Sequence, residues 1–380
     1  MPTILTNAEL ILETETRRGT LVFDETGILS VESGASSAPG AIDCAGDYVS
    51  PGLIEMHTDN MEKHFMPRPK VFWPNGLAAA LAHDAQMAAA GVTTVFDALC
   101  AGAVSGDKDY RRDIFGQVIE AVATGMDEGL FRIEHKIHIR CELTGSSTVE
   151  DITPYRDHPL LGLVSLMDHT PGQRQWRNMA DLRTYTIGGG EKTESEFDRD
   201  VALRLERGPA NVAANRPRVI AMFRDRGLPL ATHDDTTLAD VEDAAACGAV
   251  ISEFPTTEEA AAAAHRHKLS TILGGPNIVR GGSHSSGVSA ALMAEKGLLD
   301  GISSDYVPAS LLQAVETLTR RHGIALPDAM AKVTWRIADM VGLADRGRLK
   351  PGLRADILRF RFVGQTPVVT ESFCAGRRAF

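Results

Sequence analysis

The chain is poor in several features that mark specialised classes of protein. Its 380 residues include five cysteines, an odd number without Cys-x-x-Cys spacing, which argues against a disulfide framework or a zinc ribbon and fits reduced thiols in a cytoplasm. The formal net charge of −11 argues against a general nucleic-acid binder, because phosphate backbones require a basic footprint. We expect no signal peptide, since the N-terminus lacks a basic segment followed by an apolar one. We also expect no membrane span, since polar residues interrupt the alanine-rich region at 77–104.

What the chain does have is an alternation of strand and helix patterns. With 43% hydrophobic and 23% charged residues it can bury a large core. Eight such units predict an α/β protein with a (β/α)8 TIM-like barrel, which the strand-end residues described below make metal-dependent. A doubly wound open sheet is the alternative, but it would need a Gly-rich nucleotide loop after an early strand, and none is present there. The predicted barrel strands lie near residues 52–57, 92–99, 136–143, 160–167, 228–233, 249–254, 270–275 and 301–306.

Both ends of the chain carry short strand patterns that are too few to fold alone. We therefore predict a small β-sandwich domain built from residues 1–50 plus 345–380, with the barrel spanning 51–344. Residues 170–198 interrupt the alternation with a long, polar, glycine-containing insertion. Insertions of this kind after a barrel strand are typical of an active-site lid.

Five predicted strands end in ionisable groups. Active sites of such barrels lie at the carboxyl ends of the strands, so these groups should converge there. Residues i and i+2 of a strand point to one side, so His57 and Asp59 can bind the same ion. Histidine and carboxylate ligands suit two divalent transition-metal ions, Zn²⁺, Mn²⁺ or Fe²⁺, and we expect Asp305 to take the proton from the attacking water. The expected metal-binding residues are His57, Asp59, Glu142, His169, His233 and Asp305.

The motifs around these residues resemble the amidohydrolase superfamily over essentially the whole chain. The resemblance is carried by Pro51-Gly-Leu-Ile-Glu-Met-His-Thr-Asp59, by the strand-end His233 and Ser-Ser-Asp305, and by the terminal Gly347-Arg-Leu-Lys-Pro-Gly-Leu-Arg-Ala-Asp356. Within it, three motifs are similar to the α-D-ribose 1-methylphosphonate 5-triphosphate diphosphatases of the carbon–phosphorus lyase pathway. They are His57-Thr-Asp-Asn60 running into Pro67-Arg-Pro69, Met167-Asp-His-Thr-Pro-Gly-Gln173 and Gly274-Gly-Pro-Asn-Ile-Val-Arg-Gly-Gly-Ser-His-Ser285.

This resemblance implies attack of metal-activated water on a phosphoanhydride, which releases pyrophosphate and leaves a ribose 5-phosphate carrying the 1-methylphosphonate. Phosphoryl transfer needs metal ions and basic donors more than covalent catalysis. We expect the substrate's phosphates to be bound by Arg68, Arg174, Asn277, Arg280, Ser283 and His284.

The chain departs from the superfamily pattern at two places. The common first-strand pair is His-x-His, whereas here it is His57-x-Asp59. The usual bridging carboxylated lysine gives way to Glu142, and the sixth strand ends Ser252-Glu-Phe-Pro255 without a histidine, so that either His169 or Asp168 replaces that ligand.

Two other functions share parts of this pattern. A hydrolase of an amide or cyclic C–N bond needs the same metals but not the basic rim. A non-catalytic barrel scaffold would lack the ligands that this chain retains. We expect a cytoplasmic enzyme of a small phosphorylated sugar that binds neither nucleic acid nor membrane. A homo-oligomer, a common state among soluble enzymes, is compatible with the sequence, although no stretch identifies an interface.

Overall fold

The structure, a computed structural model, describes residues 2–68, 71–102, 110–188, 193–282 and 287–380. Two sheets and a set of flanking helices account for most of them. The strands are β1 (Thr3–Ile11), β2 (Thr16–Asp24), β3 (Gly27–Ser33), β4 (Ile42–Asp43), β5 (Tyr48–Pro51), β6 (Leu53–Thr58), β7 (Val92–Ala101), β8 (Glu134–Glu142), β9 (Leu161–Met167), β10 (Leu230–His233), β11 (Ile251–Glu253), β12 (Ser270–Gly274), β13 (Gly301–Ser303), β14 (Ile357–Val363), β15 (Thr366–Cys374) and β16 (Arg377–Arg378).

The helices lie mainly between the barrel strands. They are α1 (Asn60–Phe65), α2 (Gly76–Ala89), α3 (Tyr110–Asp127), α4 (Thr148–Ile152), α5 (Met179–Gly188), α6 (Glu194–Phe223), α7 (Leu238–Ala246), α8 (Glu258–Arg266), α9 (Gly275–Arg280), α10 (Ala290–Glu295), α11 (Ser310–His322), α12 (Leu326–Ala331) and α13 (Trp335–Met340). Among the described residues, no helix is both long enough and apolar enough to cross a bilayer.

The strands β6 to β13 form one parallel sheet in chain order, which confirms the predicted (β/α)8 barrel. Every residue of β6 is buried, as expected for a parallel strand that packs against helices on one side and the barrel interior on the other. Helix stops at Gly91 and Gly248, with φ near +88° at both, return the chain to β7 and towards β11.

The barrel has a seam between its first and last strands, where the ladder is reduced to a bridge between Thr58 and Asp305. The carboxylate of Glu55 spans this seam, since it accepts hydrogen bonds from the backbone N–H groups of His57 (2.7 Å) and Ser304 (2.5 Å). Burial raises the pKa of Glu55 to about 7. The first strand is therefore held against the last by side chains as well as by backbone.

The small domain is built from both ends of the chain, as predicted. Its strands follow one another in the order β16-β15-β14-β5-β1-β2-β3, and β4 pairs with β1. Phe23 of β2 and Phe373 of β15 lie far apart in that order, yet their rings meet at 5.0 Å between centroids. The sheet therefore folds over its own apolar face, which gives the two layers of a sandwich.

Much of the insertion at residues 170–198 is helical. The helix α5 lies within it, and α6 begins at Glu194 behind a capping box made by Thr193 and Glu196. Trp176, Leu182 and Phe197 form a small apolar cluster of their own. The short helices α1, α9, α12 and α13 were not anticipated, because pieces of six residues carry too little periodicity to detect.

Candidate active site

The carboxyl ends of the barrel strands open into one cavity of about 700 Å³. All six residues predicted to bind metal line it: His57, Asp59, Glu142, His169, His233 and Asp305. Side chains of the insertion, among them Trp176 and Tyr185, contribute part of its wall. The convergence that strand order requires is therefore present in the structure.

The histidines of the first and fifth barrel strands share one carboxylate. Glu253, the last residue of β11, lies with Oε1 2.9 Å from Nδ1 of His57 and Oε2 3.4 Å from Nδ1 of His233. Burial alone would raise the pKa of Glu253, but its contacts with His57, His138 and His233 hold it well below the ordinary value. Because a carboxylate only accepts hydrogen bonds, Nδ1 carries the proton of each ring, which leaves each Nε2 as the donor atom for a metal.

Three side chains on the cavity side have the spacing of a metal site. Nε2 of His169 and Nε2 of His233 lie 3.4 and 3.6 Å from Oδ2 of Asp234. That oxygen is buried and makes no hydrogen bond to the described residues. Tetrahedral bonds of about 2.0–2.1 Å place neighbouring ligand atoms about 3.4 Å apart, so the three atoms fit around one divalent ion.

Glu142, at the end of the third barrel strand, contacts His169 of this group. Its Oε2 lies 2.5 Å from Nδ1 of His169, and Thr144 donates a hydrogen bond to its Oε1 at 2.5 Å. Burial alone would lower the pKa of His169, but the charges of Glu142 and Asp234 raise it to about 9. The surroundings of His169 therefore favour positive charge. Asp168 instead closes a local turn by accepting hydrogen bonds from the backbone N–H and the hydroxyl of Thr170, at 3.1 and 2.7 Å.

Asp305 occupies the opposite side of the cavity, close to Asp59. Burial and the negative charge of Asp59 raise the pKa of Asp305 to about 7, against the opposing effect of Arg140. Arg140 also forms an ion pair with Asp59, with 3.4 Å between Nη1 and Oδ2. Asp305 can therefore gain or lose a proton near neutral pH, as a general acid or base requires.

Cationic side chains line the cavity beside these groups. Lys63 approaches from α1, Arg140 from the third barrel strand, Arg204 from α6 and Arg280 from the end of α9. Nearby Gly282 also contributes to the wall. The cavity thus combines acidic and histidine groups at its base with basic groups around them.

The predicted substrate-binding residues are not all in this cavity. Arg280 and Asn277 line it, although the Asn277 amide also holds the backbone of Val288 and Ala290 at 3.0 Å each. Arg68 is exposed and lies outside the lining. Ser283 and His284 lie outside the described residues, and contact of these residues with substrate stays a prediction.

Arg174 is engaged by protein groups. Its Nη1 donates to the carbonyl of His233 at 3.0 Å and to Asp235 at 2.9 Å, and its Nη2 lies 3.3 Å from Asp240. These contacts fix the chain just after β10 and give Arg174 a place in holding His233. Its predicted role towards substrate stays a prediction.

Sequence reasoning missed three groups of the site. Asp234 was passed over beside His233, although the three consecutive polar residues from 233 to 235 were a visible signal. Glu253 was discounted because the sixth strand lacks a histidine, yet a glutamate within an apolar strand is itself unusual. Arg204 lay in a helix whose orientation the sequence does not specify.

Comparisons with known proteins agree with this geometry. No protein-family model matches the chain. An α-D-ribose 1-methylphosphonate 5-triphosphate diphosphatase of Escherichia coli (strain K12) is 41% identical over 357 residues, which cover 93% of this chain and 94% of that protein.

Among solved structures, N-isopropylammelide isopropylaminohydrolase from Burkholderia multivorans superposes with a TM-score of 0.66 at 14% identity, over 100% of this chain and 98% of that one. N-acetyl-D-glucosamine-6-phosphate deacetylase from Mycobacterium smegmatis superposes with a TM-score of 0.64 at 16% identity, over 100% of both chains. At these identities the solved structures show a shared fold.

Proposed function

This chain belongs to the family of α-D-ribose 1-methylphosphonate 5-triphosphate diphosphatases, and we propose that it hydrolyses this triphosphate to the 5-phosphate and pyrophosphate in phosphonate catabolism. The observation that carries the proposal is that one cavity is lined both by histidine and carboxylate side chains that can bind metal and by four cationic side chains. An amide hydrolase has use for the first set, whereas a polyphosphate also needs the second.

We assign the metal to the acidic and histidine side of the cavity. His169, His233 and Asp234 would hold one divalent ion, with Glu142 positioning His169 through Nδ1, and His57, Asp59 and Asp305 would hold a second, with Zn²⁺, Mn²⁺ or Fe²⁺ as the candidates. A bound divalent ion supplies a Lewis acid that makes water more acidic and withdraws charge from phosphate oxygens. The spacing around Asp234 supports the first of these assignments.

Asp305 is the group that we assign to proton transfer. In its ionised form the carboxylate accepts a proton from the attacking water as the oxygen adds to phosphorus. The bond between the first and second phosphoryl groups breaks, and pyrophosphate leaves. Its place in the lining of the cavity, just after the last barrel strand, supports this role.

The cationic groups bind and orient the phosphate chain. Arg204 reaches the cavity from α6 and Arg280 from α9, and guanidinium groups bind phosphate oxygens through paired N–H donors. Lys63, whose ammonium group also contacts the carbonyl of Tyr306, adds a point charge near the first strand. We assign these groups to the two terminal phosphates, which leave together.

The test is hydrolysis of the 5-triphosphate followed by phosphorus NMR, on protein stripped of metal and then supplied with Mn²⁺ or Zn²⁺. We expect pyrophosphate to appear only with metal, and Asp305→Asn to reduce its rate by 10²–10⁴-fold. Failure to release pyrophosphate with either metal, together with turnover of a cyclic amide, would overturn the proposal. Unchanged turnover by Asp305→Asn would show that Asp305 does not transfer the proton, and it would leave the proposed reaction standing.

A further inference from the structure

We propose that Glu253 is a positioning residue that orients two metal-binding histidines at once, from beneath the site. The residue is 0% exposed and is not among the described residues that line the cavity. The proposal rests on the metal site of the proposed function and extends it to a carboxylate that touches neither substrate nor reacting atoms.

The geometry connects one carboxylate to two imidazole rings. Oε1 lies 2.9 Å from Nδ1 of His57, and Oε2 lies 3.4 Å from Nδ1 of His233, so each oxygen serves one ring. The two rings are stacked, with centroids 5.4 Å apart and an interplanar angle of 22°. A single anion therefore fixes the tautomer and the tilt of both rings, and directs each Nε2 away from the barrel floor.

Glu253 is itself held in place by its neighbours. Ser165 of β9 donates a hydrogen bond to Oε2 at 2.7 Å, and the Ser165 hydroxyl also contacts Nε2 of His138. The pairing of β10 with β11 places Glu253 directly opposite His233 in the ladder. The orienting carboxylate is thus built into rigid strands, which is the arrangement that keeps metal ligands in a fixed geometry.

The same contacts argue against Glu253 as a ligand. Its oxygens point to the protonated Nδ1 atoms, on the side of each ring away from Nε2. The site that faces the cavity is completed by Asp234, whose Oδ2 has no hydrogen-bond partner among the described residues. Glu253 therefore acts through the histidines.

Metal affinity measured without substrate tests this role separately from hydrolysis. We expect Glu253→Gln, which keeps the shape but removes the charge and one acceptor, to weaken Zn²⁺ binding by 10–100-fold in isothermal titration calorimetry. The number of ions bound at saturation should stay the same. Ser165→Ala, which removes the hydrogen bond from the Ser165 hydroxyl to Glu253, should weaken Zn²⁺ binding by less than about tenfold.

The matched control is Glu134→Gln, at the amino end of β8, where the carboxylate pairs with Arg346 at the far end of the barrel. This variant should bind Zn²⁺ as the parent does, which separates orientation from a general loss of stability. Unchanged affinity in Glu253→Gln would overturn the proposal. Loss of one bound ion at saturation would also overturn it, since it would make Glu253 a ligand.

Discussion

Two clusters of histidines and carboxylates lie in the same barrel and differ in what their donor atoms face. One opens into the cavity and contains His169, His233 and Asp234. The other lies between α2 and the second and third barrel strands and contains His83, Asp97 and His135, each 0% exposed. We call them the open cluster and the closed cluster.

The closed cluster is joined by hydrogen bonds. Asp97 lies between two rings, with 2.9 Å to Nε2 of His83 and 2.7 Å to Nδ1 of His135. Asp84 faces the other side of His135 at 3.5 Å and is itself paired with Arg132 at 2.9 Å. Each carboxylate charge therefore has a cationic partner already in the protein.

The comparison shows that composition does not identify a metal site. Both clusters have two histidines and a carboxylate within metal-binding distance. The open cluster differs because its carboxylate oxygen stands 3.4–3.6 Å from the rings, has no hydrogen bond to the described residues and faces a cavity. We therefore expect changes in the open cluster to affect chemistry and changes in the closed cluster to affect stability.

The largest contrast should come from paired carboxylate substitutions. Asp234→Asn in the open cluster should lower turnover by about 10³-fold, since loss of a ligand removes several kcal/mol of transition-state stabilisation. Asp97→Asn should keep turnover within about tenfold but lower the free energy of unfolding by roughly 3–5 kcal/mol, because it removes one partner of a buried ion pair. Steady-state rates, urea unfolding and bound metal per chain measure these effects. Loss of a bound ion in folded Asp97→Asn would show that the closed cluster also holds metal.

A smaller effect should appear in the pH dependence of stability. Burial alone would lower the pKa of His135, but Asp97 and Asp84 raise it from 6.5 to about 9. A pKa raised on folding stabilises the protein below pH 6.5, and this contribution is lost as pH rises through 9. We expect the free energy of unfolding to fall by on the order of 3 kcal/mol over that window. His135→Gln should flatten the fall in urea titrations, and an equally steep fall in that variant would place its cause elsewhere.

The smallest effect should separate two arginines that the sequence predicted to bind substrate. Arg280 lines the cavity and Arg68 does not, although both were predicted to bind substrate. Arg280→Ala should raise KM about tenfold with little change in kcat, because it removes a charge-assisted contact with phosphate. Arg68→Ala should change KM less than twofold. An equal or larger effect of Arg68→Ala would mean that the loop carrying Arg68 reaches the substrate.

Much of this architecture could be predicted because parallel strands impose order on the chain. The alternation of strand and helix gave the barrel, and the i, i+2 spacing of His57 and Asp59 placed both at one strand end. Chain topology then required the other strand-end groups to meet them. These inferences depend on spacing along the chain, which a sequence displays directly.

The rest depended on partners that lie far apart in sequence. Arg174 was predicted from the sequence to bind the substrate, and the sequence did not show that Asp235 and Asp240, more than sixty residues away, pair with it. Glu253 became informative only when the register of β10 against β11 placed it beside His233. Local pattern does not specify which of many carboxylates a given side chain will meet.

The seam of the barrel has a consequence for anyone who redesigns this catalyst. At Asp305 the main chain closes the seam, since its carbonyl accepts the Thr58 hydroxyl at 2.6 Å, while the side chain is left for chemistry. At this one residue, the backbone therefore has a structural role and the side chain a chemical one. The backbone there has a φ of +54°, which narrows a useful library to asparagine and glycine beside the parent aspartate.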